Sequence, residues 1–82
     1  MNKKEKEYIF KKVKISEKPF YFEIIKIKSM NYYIRVFKGG EKSILVPAIA
    51  SYRTHAPDLK RAFTKAYRYF KKTNGKHGFA EI

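Results

Sequence analysis

The stretch Asn31-Tyr32-Tyr33-Ile34-Arg35-Val36-Phe37-Lys38, followed by Gly39-Gly40 and then Glu41-Lys42-Ser43-Ile44-Leu45-Val46, decides the fold. A Gly-Gly pair between two β-prone runs predicts a hairpin, because the favoured two-residue turns need positive φ. With Gly39-Gly40 as the turn, Lys38 faces Glu41, Phe37 faces Lys42, Arg35 faces Ile44 and Ile34 faces Leu45. The opposite charges of Lys38 and Glu41 suit that register. One face then carries Ile34, Val36 and Leu45. The other carries Tyr33, Arg35, Phe37 and Lys42, and a face that mixes rings with cations differs from an ordinary solvated one.

On the N-terminal side, Phe20–Lys28 alternates as a strand, with Ser29-Met30 as the turn into Asn31. A two-residue turn there pairs Ile27 with Tyr32, Lys26 with Tyr33, Ile25 with Ile34, Ile24 with Arg35 and Phe22 with Phe37. The apolar face becomes Ile25, Ile27, Tyr32, Ile34, Val36 and Leu45. The ring-and-cation face gains Lys26, Lys28, Phe22 and Ile24. A one-residue slip at Ser29-Met30 would exchange these sets.

Before that, Tyr8–Ile15 alternates too, with Ile9, Val13 and Ile15 on one side and Tyr8, Phe10, Lys12 and Lys14 on the other. Ser16-Glu17-Lys18-Pro19 breaks the pattern. Met1–Glu7 alternates charge and reads as a disordered tail, or as a basic arm lying along phosphates.

Beyond Val46, Pro47 ends a strand or holds it at an edge, and residues 47–56 read as a connector that packs down through Ile49 and Tyr52. A helix follows over residues 57–72. Pro57 suits its first position and Asp58 complements its N-terminal dipole. Leu59, Ala62, Phe63, Ala66, Tyr67, Tyr69 and Phe70 line one side at helical spacing. Lys60, Arg61, Thr64, Lys65, Arg68, Lys71 and Lys72 line the other, and Asn74-Gly75 is a stop signal. Phe79 and Ile82 anchor a tail that folds back. The expected architecture is α+β: a three- to four-stranded antiparallel sheet packed against one C-terminal amphipathic helix.

The chain is 82 residues long and reads as a single domain, 1–82, without repeat or linker. Such a chain buries roughly 60–65% of its unfolded surface, so it stands on one layer contact. With no cysteine it has no disulfide or thiolate–metal staple, and His55 and His77 alone cannot close a structural zinc site. No metal or cofactor is expected. No apolar run reaches transmembrane length and no secretory apolar region follows the charged start, so a cytoplasmic protein is expected.

Twenty Lys and Arg against seven Asp and Glu give a net charge of +13. That charge repels itself, and a polyanion relieves the repulsion. An AT-rich codon bias accounts for many lysines but less well for so few acids. The partner expected first is nucleic acid, DNA ahead of RNA. The contact residues expected are Lys26, Lys28, Tyr33, Arg35, Phe37 and Lys42, on the sheet face away from the helix. The cations suit phosphates, Arg35 suits a guanine edge, and Tyr33, Phe37 and Phe22 suit stacking on unpaired bases. Lys60, Arg61, Lys65 and Arg68 form a secondary basic face. Tyrosines on the helix's apolar stripe favour burial over a membrane surface.

A second reading is a small interaction protein of phage or mobile-element type that binds and inhibits an acidic or nucleic-acid-binding host protein. A third is a small ribonuclease using His55 or His77. The chain carries one aspartate and no paired carboxylates, and Ser51, His55 and Asp58 are near in sequence only, so the leading expectation is non-enzymatic. Exposed sheet edges leave monomer and dimer both open.

Tyr32–Phe37, the Gly-Gly turn, Ala62-Phe63-Thr64-Lys65-Ala66-Tyr67 on a helix and His77-Gly78-Phe79-Ala80 together resemble the integrase-type (APETALA-like) DNA-binding domain. The resemblance spans about residues 20–82. It implies a three-stranded sheet set in the major groove with a helix packed behind it. It also places Lys26, Lys28, Tyr33, Arg35 and Lys42 at the DNA-facing positions. Tyr52-Arg53-Thr54 stands loosely where the family has a Gly-x-Phe-x-Thr signature before its helix, and the family's tryptophans are absent.

Overall fold

The structure, a computed structural model, describes residues 8–39, 47–73 and 78–82. Five strands and one helix follow in the order β1 (Tyr8–Ile15), β2 (Lys18–Lys28), β3 (Asn31–Lys38), β4 (Ala50–His55), α1 (Leu59–Lys72) and β5 (Gly78–Glu81). The sheet has the strand order β1-β2-β3-β4-β5. The first four strands are antiparallel neighbours, whereas β5 runs parallel to β4. A parallel neighbour cannot be reached by a tight turn, and α1 supplies the crossover. The α+β class with one C-terminal helix is as expected, but the sheet is larger and mixed.

Two hairpins set the registers. Ser16 and Glu17 both have positive φ, 53° and 69°, between the paired Ile15 and Lys18. That is the backbone of a primed two-residue turn, so β2 begins at Lys18 rather than at Phe20. At the next turn Met30 is left-handed, φ 62°. Lys28 pairs with Asn31, but the register then shifts between Lys28 and Lys26, and Lys26 pairs with Tyr32. This bulge at Ile27 reverses the faces of β2 relative to the unbroken two-residue register. Phe22 and Ile24 join Val36 and Ile34 beneath the helix. Glu23 and Ile25 move to the opposite face, beside Arg35 and Tyr33.

The other edge of β3 also differs from expectation. Its partner is β4, with Val36 opposite Ala50, Ile34 opposite Tyr52 and Arg35 opposite Ser51. Arg35 therefore faces Ser51 and not Ile44, and Ile34 faces Tyr52 and not Leu45. Gly39 takes φ 103°, as a turn glycine would, while the expected strand Ser43–Val46 lies outside the described residues. The segment read as a connector is instead a strand, whose Ala50, Tyr52 and Thr54 alternate inward. Its neighbour β5 is pinned by the Ile82 amide to the Arg53 carbonyl (2.9 Å) and by the Thr54 hydroxyl to the Ile82 carbonyl (2.9 Å).

Helix α1 starts at Leu59, two residues later than the proline signal suggests. Asp58 is its N-cap, accepting the Arg61 amide at 2.8 Å, and Pro57 lies outside. It ends at Thr73, whose amide and hydroxyl both donate to the Tyr69 carbonyl. Ala62 and Ala66 are fully buried and let the backbone approach the sheet. Around them the rings interlock edge-to-face: Phe22 meets Phe63, Tyr67 and Phe70 at 5.6, 6.2 and 5.5 Å, and Phe20 meets Phe70 at 5.0 Å. Among the described residues no helix is long and apolar enough to cross a membrane.

Tyr52, 1% exposed, lies against Tyr69 with ring centroids 5.2 Å apart. Among the described residues its hydroxyl makes no hydrogen bond. Burial pushes its pKa up to about 12 and Tyr69 adds to the rise. The nearby Thr73 hydroxyl opposes it slightly but spends its proton on helix carbonyls. A folded pKa above the ordinary 10.0 means that stability is whole below pH 10 and is lost as pH rises toward 12. Tyr52→Phe should stabilise the protein at neutral pH by up to about 1 kcal/mol, because a buried hydroxyl with no partner among the described residues is removed. The gap over wild type should widen by about 1.4 kcal/mol at pH 11, read from urea midpoints at both pH values. An unchanged gap would place that hydroxyl in water.

Candidate functional site

Of the expected sheet-face residues, Tyr33, Arg35 and Phe37 share the face of β3 away from the helix, whereas Lys26 does not join them. Lys26 pairs with Tyr32, on the parity of the buried strand positions, because of the bulge. Phe22 is 0% exposed and Phe37 3%, so neither can stack on a base. Arg35 is tied to Glu23, its Nε and Nη2 both 2.6 Å from Oε1, and its guanidinium lies 5.6 Å from the Phe37 ring centre. Lys42 lies outside the described residues, as does His77. Tyr33 is half-buried between Ile25 and Arg53, and Lys28 is exposed opposite Asn31.

The same face has residues that were not gathered to it. Phe10 stacks on Tyr21 at 5.5 Å, with Lys12 opposite Tyr21 and Lys14 opposite Pro19. The alternation of β1 already displayed Phe10, Lys12 and Lys14. Arg53 and His55 on β4 were hidden by the connector reading. Arg53 approaches Glu81 at 3.8 Å with both side chains largely exposed, a contact that neutralises little.

The secondary basic face is whole. Lys60, Arg61, Lys65, Arg68, Lys71 and Lys72 are all exposed on α1, because Ala62, Ala66 and Phe70 turn the apolar stripe inward. The helix contains no acidic residue. Its cations therefore meet one another at helical spacing, Arg61 to Lys65 and Arg68 to Lys72, and each such pair costs a few tenths of a kcal/mol, about 0.2–0.5. Lys60 and Arg61 also sit at the end where the helix dipole favours anions, with Asp58 as the local offset. Two of these lysines have neighbours: Lys65 Nζ donates to the His55 carbonyl at 3.0 Å, and Lys71 lies 4.9 Å from the Tyr67 ring centre. Lys11, reaching from β1 to 5.5 Å from the Phe63 ring centre, adds a cation beside the helix.

A shallow concavity of about 480 Å³ lies on this face, between His55 and Pro57 and the side chains of Lys60, Arg61, Thr64, Lys65 and Arg68. Asp58 spends a carboxylate oxygen on the helix cap, whereas Ser51 and His55 share one face of β4. Comparison of the chain with protein-family models, with curated proteins and with solved structures found no match.

Proposed function

We propose that this chain is a small, non-enzymatic nucleic-acid-binding protein that grips a phosphate backbone with the outward face of α1. The observation that supports it is the acid-free row of Lys60, Arg61, Lys65, Arg68, Lys71 and Lys72 in a chain of net charge +13. From Arg61 to Lys72 the row is about 16 Å long at the helical rise. A B-form strand offers a phosphate about every 3.4 Å of axis, so several fall within that reach. The choice of duplex DNA over RNA rests on the resemblance to the integrase-type domain. The sheet face, expected to make the main contact, is reassigned a lesser part because its central cation already has an anionic partner.

Titrating labelled duplex at several salt concentrations tests this. About six phosphate contacts give a log–log slope near −5. Arg61→Gln, Lys65→Gln and Arg68→Gln together should make the slope shallower by about 3 and weaken binding roughly a hundredfold or more at low salt. These side chains are exposed, so the fold should persist. No binding even at low salt ends the proposal, and a triple variant that binds like wild type shows that α1 is the wrong face.

A further inference from the structure

The bulge that reverses β2 also builds a cavity. It carries Ile27 and Lys28 past the end of the regular ladder, where Ile27 stays 47% exposed. Bulges commonly re-aim side chains at functional sites. Here the re-aimed pair lines a partly open cavity of about 400 Å³ with Asn31, Arg53, His55 and Glu81. His55 lines the concavity on α1 as well. The two depressions therefore meet at one residue, and the cationic surface continues from the helix around His55 to Lys28 and Arg53.

We infer that this cavity beneath the β2–β3 turn holds one nucleotide of a single strand that leaves the duplex bound on α1. The inference rests on the function proposed above and names a substrate for it, a duplex with an unpaired tail. The domain is only 18 Å across its shortest extent. A duplex, with a persistence length of about 50 nm, does not bend around such a corner, but a single strand does. The volume falls within the range of small-ligand sites. Among the lining side chains, Lys28 and Arg53 outnumber Glu81 by one positive charge, which matches one phosphodiester. Ile27 gives an apolar surface for a base, and Asn31 and Glu81 give polar groups for its edge.

Fluorescence anisotropy with blunt duplex, the same duplex carrying a four-nucleotide tail, and the free single strand tests the inference. The tail should tighten binding by about five- to tenfold, the scale of one phosphate and one base contact. Lys28→Gln with Arg53→Gln should erase that gain, so that tailed and blunt duplex bind the variant equally, while blunt-duplex affinity falls far less than in the α1 triple variant. A tail that brings no gain, or a gain that survives the double variant, overturns the site. If blunt duplex does not bind at all, the α1 reading fails by itself. The cavity is then judged on the free strand, whose binding must fall about five- to tenfold in the double variant for the site to stand.

Discussion

Phe22→Ala is expected to cost about 3–5 kcal/mol of folding stability. Its side chain is 0% exposed and is ringed by Phe63, Tyr67 and Phe70 of α1. Truncation removes the β2 ring that meets three aromatic rings of the helix and leaves a cavity walled by those rings, which relax poorly. A domain of this size holds about 4–12 kcal/mol in all, at roughly 0.05–0.15 kcal/mol per residue. The variant therefore loses a quarter of its stability or more, and its Tm falls by at least about 12 °C. Phe10→Ala is the control. Phe10 lies on the opposite face of the sheet, 39% exposed, and its loss should cost under about 1 kcal/mol. Urea unfolding of both variants measures the difference. In the register without the bulge, Phe22 would stand on the open face, so equal costs for the two substitutions would refute the bulge.

That contrast marks where the sequence was legible. Period-two alternation in Tyr8–Ile15 and Asn31–Lys38, and the helical stripe from Leu59 to Phe70, are strong signals, and these elements stand where they were read. Alternation in β2 was equally clear, but alternation gives two parities and does not say which is buried. That choice depended on the turn. A left-handed Met30 with an extra residue at Ile27 has no glycine to announce it, since neither Ser29 nor Met30 favours positive φ. β4 escaped for another reason. Its inward residues are Ala50, Tyr52 and Thr54, small or polar-tipped, so its hydrophobic period is faint. Gly39-Gly40 had meanwhile drawn the partner of β3 to Ser43–Val46. The candidate site inherited both errors. Lys26 and Phe22 were assigned to the open face through the turn, and Arg53 and His55 were omitted through the connector. The helix cations needed no register, which is why that row survives whole.

Arg35→Ala should destabilise the protein by about 2–4 kcal/mol, although its own side chain is 37% exposed. The reason is the partner. Glu23 is 4% exposed, and the substitution takes from its carboxylate a guanidinium that meets Oε1 through both Nε and Nη2. A carboxylate shielded from water cannot recover that loss by hydration. Glu23→Gln should cost less, about 1 kcal/mol, because the amide oxygen still accepts a hydrogen bond and the half-open guanidinium can turn to solvent. Changing both, Glu23→Leu with Arg35→Met, should recover most of the Arg35→Ala loss, since an apolar pair of similar volume replaces a partly buried ion pair at little cost. Urea titration of the single and double variants measures these terms. The asymmetry, once measured, bears on what the sheet centre can contact. A guanidinium held by a buried carboxylate must give up that partner to reach a guanine or a phosphate, and the several kcal/mol involved would have to be returned by the new contact. With those unequal costs Arg35 serves the fold, and loss of nucleic-acid binding in Arg35→Ala would report unfolding. Equal small costs at Glu23 and Arg35, with a double variant that adds them, would make the pair an ordinary surface contact and return Arg35 to the set of residues that touch the ligand.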